Sequence, residues 1–215
     1  MDFSEKIIGK ENYFNSAVLA LMVKNNGEYY LLFEKRAQNI RQGGEISFPG
    51  GKVEKSDKNS METALRESFE EIGLGSKDIE IKGKIGTLVI PTGVLVEAYL
   101  AYGENIFLKD LKLNFSEVEE CFMVPLKFFL ENKPRLEKLK VETHPYYEEN
   151  GNVYKFPAKE LDLPERYFKS WSGNPRKVYI YVYENRVIWG LTAEIIMELL
   201  KYIKEEGIEK ENLLK

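Results

Sequence analysis

Residues 48–75, "FPGGKVEKSDKNSMETALRESFEEIGLG", constrain this chain more than any other stretch. A proline and two glycines open it, a helical pattern runs from about Asn59 to Ile72, and Gly73 ends it. Glu67, Glu70 and Glu71 share one face of that helix, because residues three and four apart are neighbours. Like charges so placed repel by about 0.2–0.5 kcal/mol per pair, so a helix serving only to pack is better off without them. The spacing suits a hard cation such as Mg²⁺ or Mn²⁺, which prefers oxygen ligands. A solvated acidic face is the plainer alternative. The helical wheel sets Met61, Leu65, Phe69 and Ile72 opposite the carboxylates and predicts that this apolar stripe anchors the helix. Arg66 stands four before Glu70, and Glu62 four before Arg66, so the charged flank can be steadied by pairing. The "PGG" ahead of the helix lets bare main chain approach a metal or a phosphate.

Composition narrows the functional classes. With 215 residues, 43% hydrophobic and 31% charged, the chain has the make-up of a folded protein rather than a disordered one. The net charge of −4 supplies no bulk basic field, so no nucleic-acid partner is expected. One cysteine, Cys121, rules out an internal disulfide and a multi-cysteine zinc site. A single histidine, His144, cannot build a histidine zinc centre. Cys121 reads as a buried strand thiol and His144 as a turn residue. No apolar run reaches membrane-spanning length and the first residues lack the apolar core of a signal peptide, so no membrane partner and a cytoplasmic location are expected.

The rest of the pattern alternates strands and helices. "SAVLALMVKNNGEYYLLFEKR" is two apolar runs joined at Asn26-Gly27, a strong hairpin signal. "KIGTLVI" and "VLVEAYLAY" flank "PTG", "VEECFMV" is a further strand, and "PLKFFLEN" a short helix. Asn150-Gly151 and Glu184-Asn185 mark two more hairpins. "LTAEIIMELLKYIKEE" closes the chain as an amphipathic helix, with Thr192 as predicted N-cap and Leu191, Ile195, Leu199 and Ile203 on one stripe. These elements predict α/β layers with a mixed sheet. No linker or repeat divides them, so one domain is expected over 1–215, its core at about 15–200.

Gly51, then Arg66-Glu67, Glu70-Glu71 and Gly73-Leu74, resemble the Nudix box, the loop–helix signature of the Nudix hydrolases. In that family a Gly is followed six on by a Glu and then by R-E-x-x-E-E-x-G. Here Asp57 stands at the place of the first Glu, eight residues rather than seven separate it from Arg66, and Ser68 replaces an aliphatic residue. The resemblance implies an α/β/α sandwich and hydrolysis of a nucleoside diphosphate linked to another group. It implies Glu67, Glu70 and Glu71 as metal ligands with the Gly50 carbonyl, and a catalytic role for these carboxylates with Arg66. A downstream acid can take the proton from water, and Glu97, Glu117, Glu119 and Glu120 are the candidates.

The stretch before the box, "LLFEKRAQNIRQGGEISFPGG", is similar to the signature of the coenzyme A pyrophosphatase branch of that family. Arg36, Ala37, Arg41, Gly44, Phe48, Pro49, Gly50 and Gly51 match it, with one residue fewer between Arg41 and Gly44. The resemblance implies cleavage of coenzyme A or its thioesters to 3′,5′-ADP and 4′-phosphopantetheine, or its acyl form. It places substrate on Arg36, Arg41, Gly44, Gly50 and Gly51. Two arginines in one loop fit so anionic a substrate, since a guanidinium fork matches phosphate geometry. Phe48 is assigned to packing beneath the loop. The rival readings are a Nudix hydrolase acting on ADP-ribose, NADH or a nucleoside triphosphate, and a silent nucleotide-binding module. The expected partner is a small molecule, and a homodimer is compatible with the chain.

Overall fold

Asn26 and Gly27, at φ 51° and 82°, turn β1 (Phe14–Asn25) back into β2 (Glu28–Arg36) in the computed structural model, which describes residues 7–205. Two adjacent left-handed residues match the twist of a tight hairpin, and Leu21 pairs with Leu32 across it. β3 (Ile46–Ser47) and β4 (Gly50–Lys52) follow, then α1 (Ser60–Ile72), β5 (Glu80–Ile90), β6 (Val94–Glu104), β7 (Val118–Pro125) and α2 (Leu126–Glu131). The sheet runs β3-β2-β1-β6-β5, with β4 also on β1 and β7 also on β2. β1 and β6 are parallel while the other pairs are antiparallel, so the sheet is mixed as predicted.

Alternation along β1 feeds two cores. Ala17, Leu19 and Leu21 pack with Leu32, Tyr99 and the α1 residues Ala64 and Ile72. Ala20 and Met22 pack with Leu31, Phe33, Phe129 and the last helix. Phe48 stacks on Phe33 with ring centroids 4.9 Å apart, the packing role expected of it. The sheet thus lies between helices on both faces.

β8 (Arg135–Leu139) to β12 come next: β9 (Glu142–Thr143), β10 (Tyr146–Glu149), β11 (Asn152–Lys155) and β12 (Trp171–Ser172). β13 (Arg176–Tyr183) and β14 (Arg186–Trp189) form the hairpin expected about Glu184-Asn185, and α3 (Gly190–Glu205) closes the described chain. The residues form two compact units. One comprises the described residues up to Arg135 together with those from Tyr179 onward; the other is Leu136–Val178. In the second, β9 pairs with β12, and β10 with β11 through the turn at Asn150-Gly151.

Two local expectations are corrected. α3 begins at Gly190, so Thr192 lies inside it, and its hydroxyl donates to the Ile46 carbonyl at 3.0 Å instead of capping the helix. Of the expected anchoring stripe of α1, Ile72 is buried and Leu65 packs against the core, whereas Phe69 is 64% exposed and Met61 faces outward; Ala64, Ser68 and Glu71 are buried beside them instead. Small side chains at 64 and 68 let the helix sit close to the sheet. Hence a carboxylate, not an aromatic ring, is carried into the interior.

Candidate active site

Asn59 starts α1 by accepting a hydrogen bond from the Glu62 amide at 2.9 Å, and left-handed Gly73 ends it with its N–H on the Phe69 carbonyl. Between these caps, Glu67 and Glu71 point toward Glu117 of the turn before β7. One oxygen from each of the three lies within 4.8 Å of the others. Main-chain bonds hold the three together. The Asn114 N–H donates to the Glu71 carbonyl at 2.9 Å, and the Glu117 N–H to the Asn114 carbonyl at 2.9 Å.

The glycine turn meets the same cluster. The Gly50 N–H donates to Glu71 Oε2 at 2.8 Å, so Gly50 enters the site through its amide. Gly51 lies against Glu67, leaving no room for a Cβ. At the other end of the loop, the Ala37 N–H donates to the Glu117 carbonyl at 2.8 Å. The segment from Arg36 to Gly51 is therefore fastened to the carboxylate cluster at both ends.

Glu70 stands apart. It is paired with Arg66 NH1 at 3.0 Å, its side chain 51% exposed, and Glu117 supplies the third cluster oxygen instead. Arg66 is a clasp. Its Nε and NH2 reach the two oxygens of Asp57 at 3.0 and 3.2 Å, and NH2 also reaches the Lys52 carbonyl and Glu67. Asp57, despite its shifted spacing, thus ties the loop to the helix. Those Arg66 bonds hold its carboxyl well below the usual range.

A fourth carboxylate was not foreseen. Glu34 on β2 is fully buried; Oε1 accepts from Ser47 Oγ at 3.0 Å, and Arg36 NH1 lies 3.6 Å away. Oε2 is buried without a hydrogen-bond partner. Burial pushes the Glu34 carboxyl up against the pull of Arg36. Burial and then the Glu34 charge raise Glu71, and burial raises Glu67 against the pull of Arg66. The signal in the sequence was alternation: in "YYLLFEKR" residue 34 follows Leu32 onto the inward face.

The remaining candidates take other places. Arg36 turns inward, its Nε donating to the Arg41 carbonyl at 3.3 Å. Arg41 is exposed, its guanidinium 5.0 Å from the Phe14 ring centroid. Gly44, at φ 78°, closes the loop with its N–H on the Arg36 carbonyl. Glu97 binds Lys10, Lys84 and Ser60; burial alone would raise its carboxyl, but these hydrogen bonds bring it down to about 2. Glu119 pairs with Lys35 and Glu120 with Arg186. Burial pushes the Cys121 thiol up, away from nucleophilic use, and His144 Nδ1 is bonded to Ser170 Oγ. A cavity of about 530 Å³ borders the loop, lined in part by Lys35, Gly44, Arg186 and Trp189.

The family model described as a NUDIX domain matches residues 14–146. The chain belongs to the Nudix hydrolase family. A mouse protein named peroxisomal coenzyme A diphosphatase NUDT7 is 35% identical over 115 residues, 53% of this chain and 48% of that protein. The chain thus matches about half the length of that relative. NudL of Photorhabdus laumondii, named an uncharacterized Nudix hydrolase, is 29% identical over 177 residues, 81% of this chain and 77% of its own. A MutT/nudix family protein from Enterococcus faecalis shares the fold at a TM-score of 0.52 and 14% identity, over 94% of this chain and 66% of that one. Nudix proteins act with divalent metals as a rule, and the donor set here fits one. All its side-chain donors are carboxylate oxygens.

Proposed function

We propose that this Nudix protein hydrolyses the diphosphate linkage of coenzyme A or an acyl-CoA, giving 3′,5′-ADP and 4′-phosphopantetheine or its acyl form, with Mg²⁺ or Mn²⁺. One observation carries the reading: the loop with the coenzyme A-type motif is bonded to the carboxylate cluster at Ala37 and at Gly50. The segment that would receive the phosphates is thereby set against the carboxylates that would hold the cation. The name of the mouse relative supports the substrate.

Glu67, Glu71 and Glu117 would hold the cation. When bound, it supplies screening of the diphosphate charge and a lowered pKa for water. The protein's own groups do the rest. Gly50 and Arg66 fix the directions of Glu71 and Glu67, and the Asp57–Arg66 clasp keeps loop and helix in register. Water oxygen bonds to one phosphorus as the bridging P–O bond breaks, and its proton passes to a carboxylate. Of the four downstream acids, Glu117 is the one we assign to that proton, because it lies beside Glu67 and Glu71. Arg36 and Arg41 offer guanidinium groups for the phosphates.

The test is product analysis by ion-pair chromatography, supplying CoA, acetyl-CoA, NADH, ADP-ribose and dGTP in parallel with each metal. The expected result is 3′,5′-ADP from CoA or acetyl-CoA well ahead of product from the others. If ADP-ribose or NADH leads, the coenzyme A reading falls while the hydrolase reading stands. No product from any substrate overturns both in favour of a binding module.

A further inference from the structure

The cavity of about 530 Å³ beside the loop has walls from two elements: the loop at Gly43, Gly44 and Ile46, and the β14 hairpin at Asn185, Val187 and Trp189. Alternation along β14 buries Ile188 completely and leaves Val187 and Trp189 49% and 43% exposed, so an isopropyl group and an indole share one face. Four residues of extended chain from Asn185 to Trp189 make that side about 13 Å long. The shape is a strip with an apolar flank and a side-chain amide at its turn end, and it is longer than a single ring requires.

Charge decides what the strip can hold. Lys35 is paired with Glu119, and Arg186 with Glu120 at 3.4 Å and Glu184 at 3.2 Å, so both cations are already engaged. Glu45 and Glu120 add carboxylates to the wall. A phosphate brought there meets like charge, which is costly. The adenosine end of coenzyme A carries its 3′-phosphate on the ribose, whereas the pantetheine arm is uncharged. That arm has a gem-dimethyl group, two amides and a thiol. Its pantoyl, β-alanyl and cysteamine units are each about one residue long, so extended it spans about 10–13 Å. Apolar walls with a few placed polar groups suit such a ligand.

The position relative to the carboxylates agrees. The loop that lines the cavity runs on to Gly50, whose N–H holds Glu71. Arg41 lies over Phe14 and takes no part in the wall. We propose that this cavity is the subsite for the pantetheine arm, with Trp189 and Val187 against its methyl and methylene groups and Asn185 for an amide. The assignment rests on the coenzyme A reading above and deepens it, adding specificity residues from a hairpin remote in sequence from the box.

Tryptophan emission of the full chain tests it without turnover, since Trp171 and Trp189 are the two tryptophans. Pantetheine, which carries no phosphate, is expected to shift the emission saturably in wild type and in Trp171→Phe, and to lose its effect in Trp189→Phe. Circular dichroism checks that both variants fold. In the same titration 3′,5′-ADP should leave the Trp189 signal unchanged. In steady-state kinetics Trp189→Ala should raise KM for CoA about 10-fold, by more than it lowers kcat, because a contact kept alike in ground and transition states acts on KM. A shift with 3′,5′-ADP and none with pantetheine gives the cavity to the nucleotide end and overturns the inference, as does a pantetheine shift that persists in folded Trp189→Phe. If CoA is hydrolysed yet pantetheine leaves wild-type emission unchanged, the inference is overturned and the proposed function stands. Pantetheine binding at Trp189 in a protein that cleaves no CoA supports the subsite and overturns the proposed function instead.

Discussion

Gly51 and Glu67 are in such close contact that a Cβ on the glycine would stand 2.5 Å from either oxygen of the carboxylate. Alanine there must push the Glu67 head group aside, because β4 is tied to β1 and cannot retreat easily. A displacement of about 1 Å at a catalytic group can cost on the order of 10² in rate. Gly51→Ala is therefore expected to lower kcat about 100-fold while the melting temperature changes little. Steady-state kinetics beside a thermal melt check this, and near-normal kcat in a folded Gly51→Ala protein would remove Glu67 from the reaction.

Glu71 is bonded to the Gly50 amide and closes the triad with Glu67 and Glu117, so on the proposed reading its charge serves a cation. Glu71→Gln keeps the shape and removes the charge. Turnover is expected to fall on the order of 10³-fold or more, about 4 kcal/mol of barrier, with the metal-free fold intact. The stabilisation that Mg²⁺ or Mn²⁺ gives the wild type should shrink in the same variant. Calorimetry with and without metal decides: an undiminished metal response places the cation elsewhere, and outright unfolding makes Glu71 a structural residue.

The pH dependence of metal-free stability has a definite sign. Burial raises the Glu34 and Glu71 carboxyls from their ordinary 4.5. A carboxyl raised in the folded state contributes its stability fully below the unfolded value and loses it as pH rises through the folded one. Metal-free protein in EDTA should therefore lose stability as pH climbs from about 4.5 through the raised range, and saturating Mg²⁺ should reverse the loss. Asp57 acts oppositely: its lowered carboxyl stabilises above the ordinary 3.8 and ceases to do so as pH falls below it. Melting curves across pH check both limbs. A flat profile between pH 5 and 8 without metal would refute the buried-pair account.

Much of this was legible in the residues. Asn26-Gly27, the helix start near Asn59 and the Gly73 stop follow local rules that a sequence shows directly. Glu67 and Glu71 could be found from helical spacing. Their partner Glu117 could only be shortlisted with Glu97, Glu119 and Glu120, since which acid reaches the helix depends on how β7 docks on β2. The wheel found Leu65 and Ile72 but misjudged Met61 and Phe69, because it weighs hydrophobicity, whereas Ala64 and Ser68 allow closer approach than Phe69 does. Glu34 escaped because a charge in a strand usually reads as surface. Its meaning depends on Glu71, which lies 37 residues further on and on another element.

Asp57 and Arg66 form a fork-to-fork pair between loop and helix, with Asp57 almost wholly buried. Charge-assisted hydrogen bonds of this kind are worth about 1.5–3 kcal/mol. Asp57→Ala is expected to destabilise by about that amount and to lower kcat as Arg66 swings free of Glu67. Urea denaturation and kinetics on one preparation test both effects. A stability loss with unaltered kcat would make the clasp purely structural.

The two loop arginines are not equivalent. Arg36 is turned inward toward Glu34 and the Arg41 carbonyl, so replacing it disturbs the loop itself. Arg41 is exposed and lies over the Phe14 ring, an arrangement that fixes the guanidinium plane while its edge donors stay open to a ligand. If coenzyme A is the substrate, its 3′-phosphate is the group that separates it from its dephospho form. Arg41→Ala is then expected to lower kcat/KM for CoA about 10- to 100-fold, matching the loss of one charge-assisted contact, and to affect 3′-dephospho-CoA much less. Phe14→Ala should shift the same ratio in the same direction by a smaller factor, since it loosens Arg41 without removing it. Equal losses on both substrates would take Arg41 away from the 3′-phosphate and assign it to the diphosphate that both share.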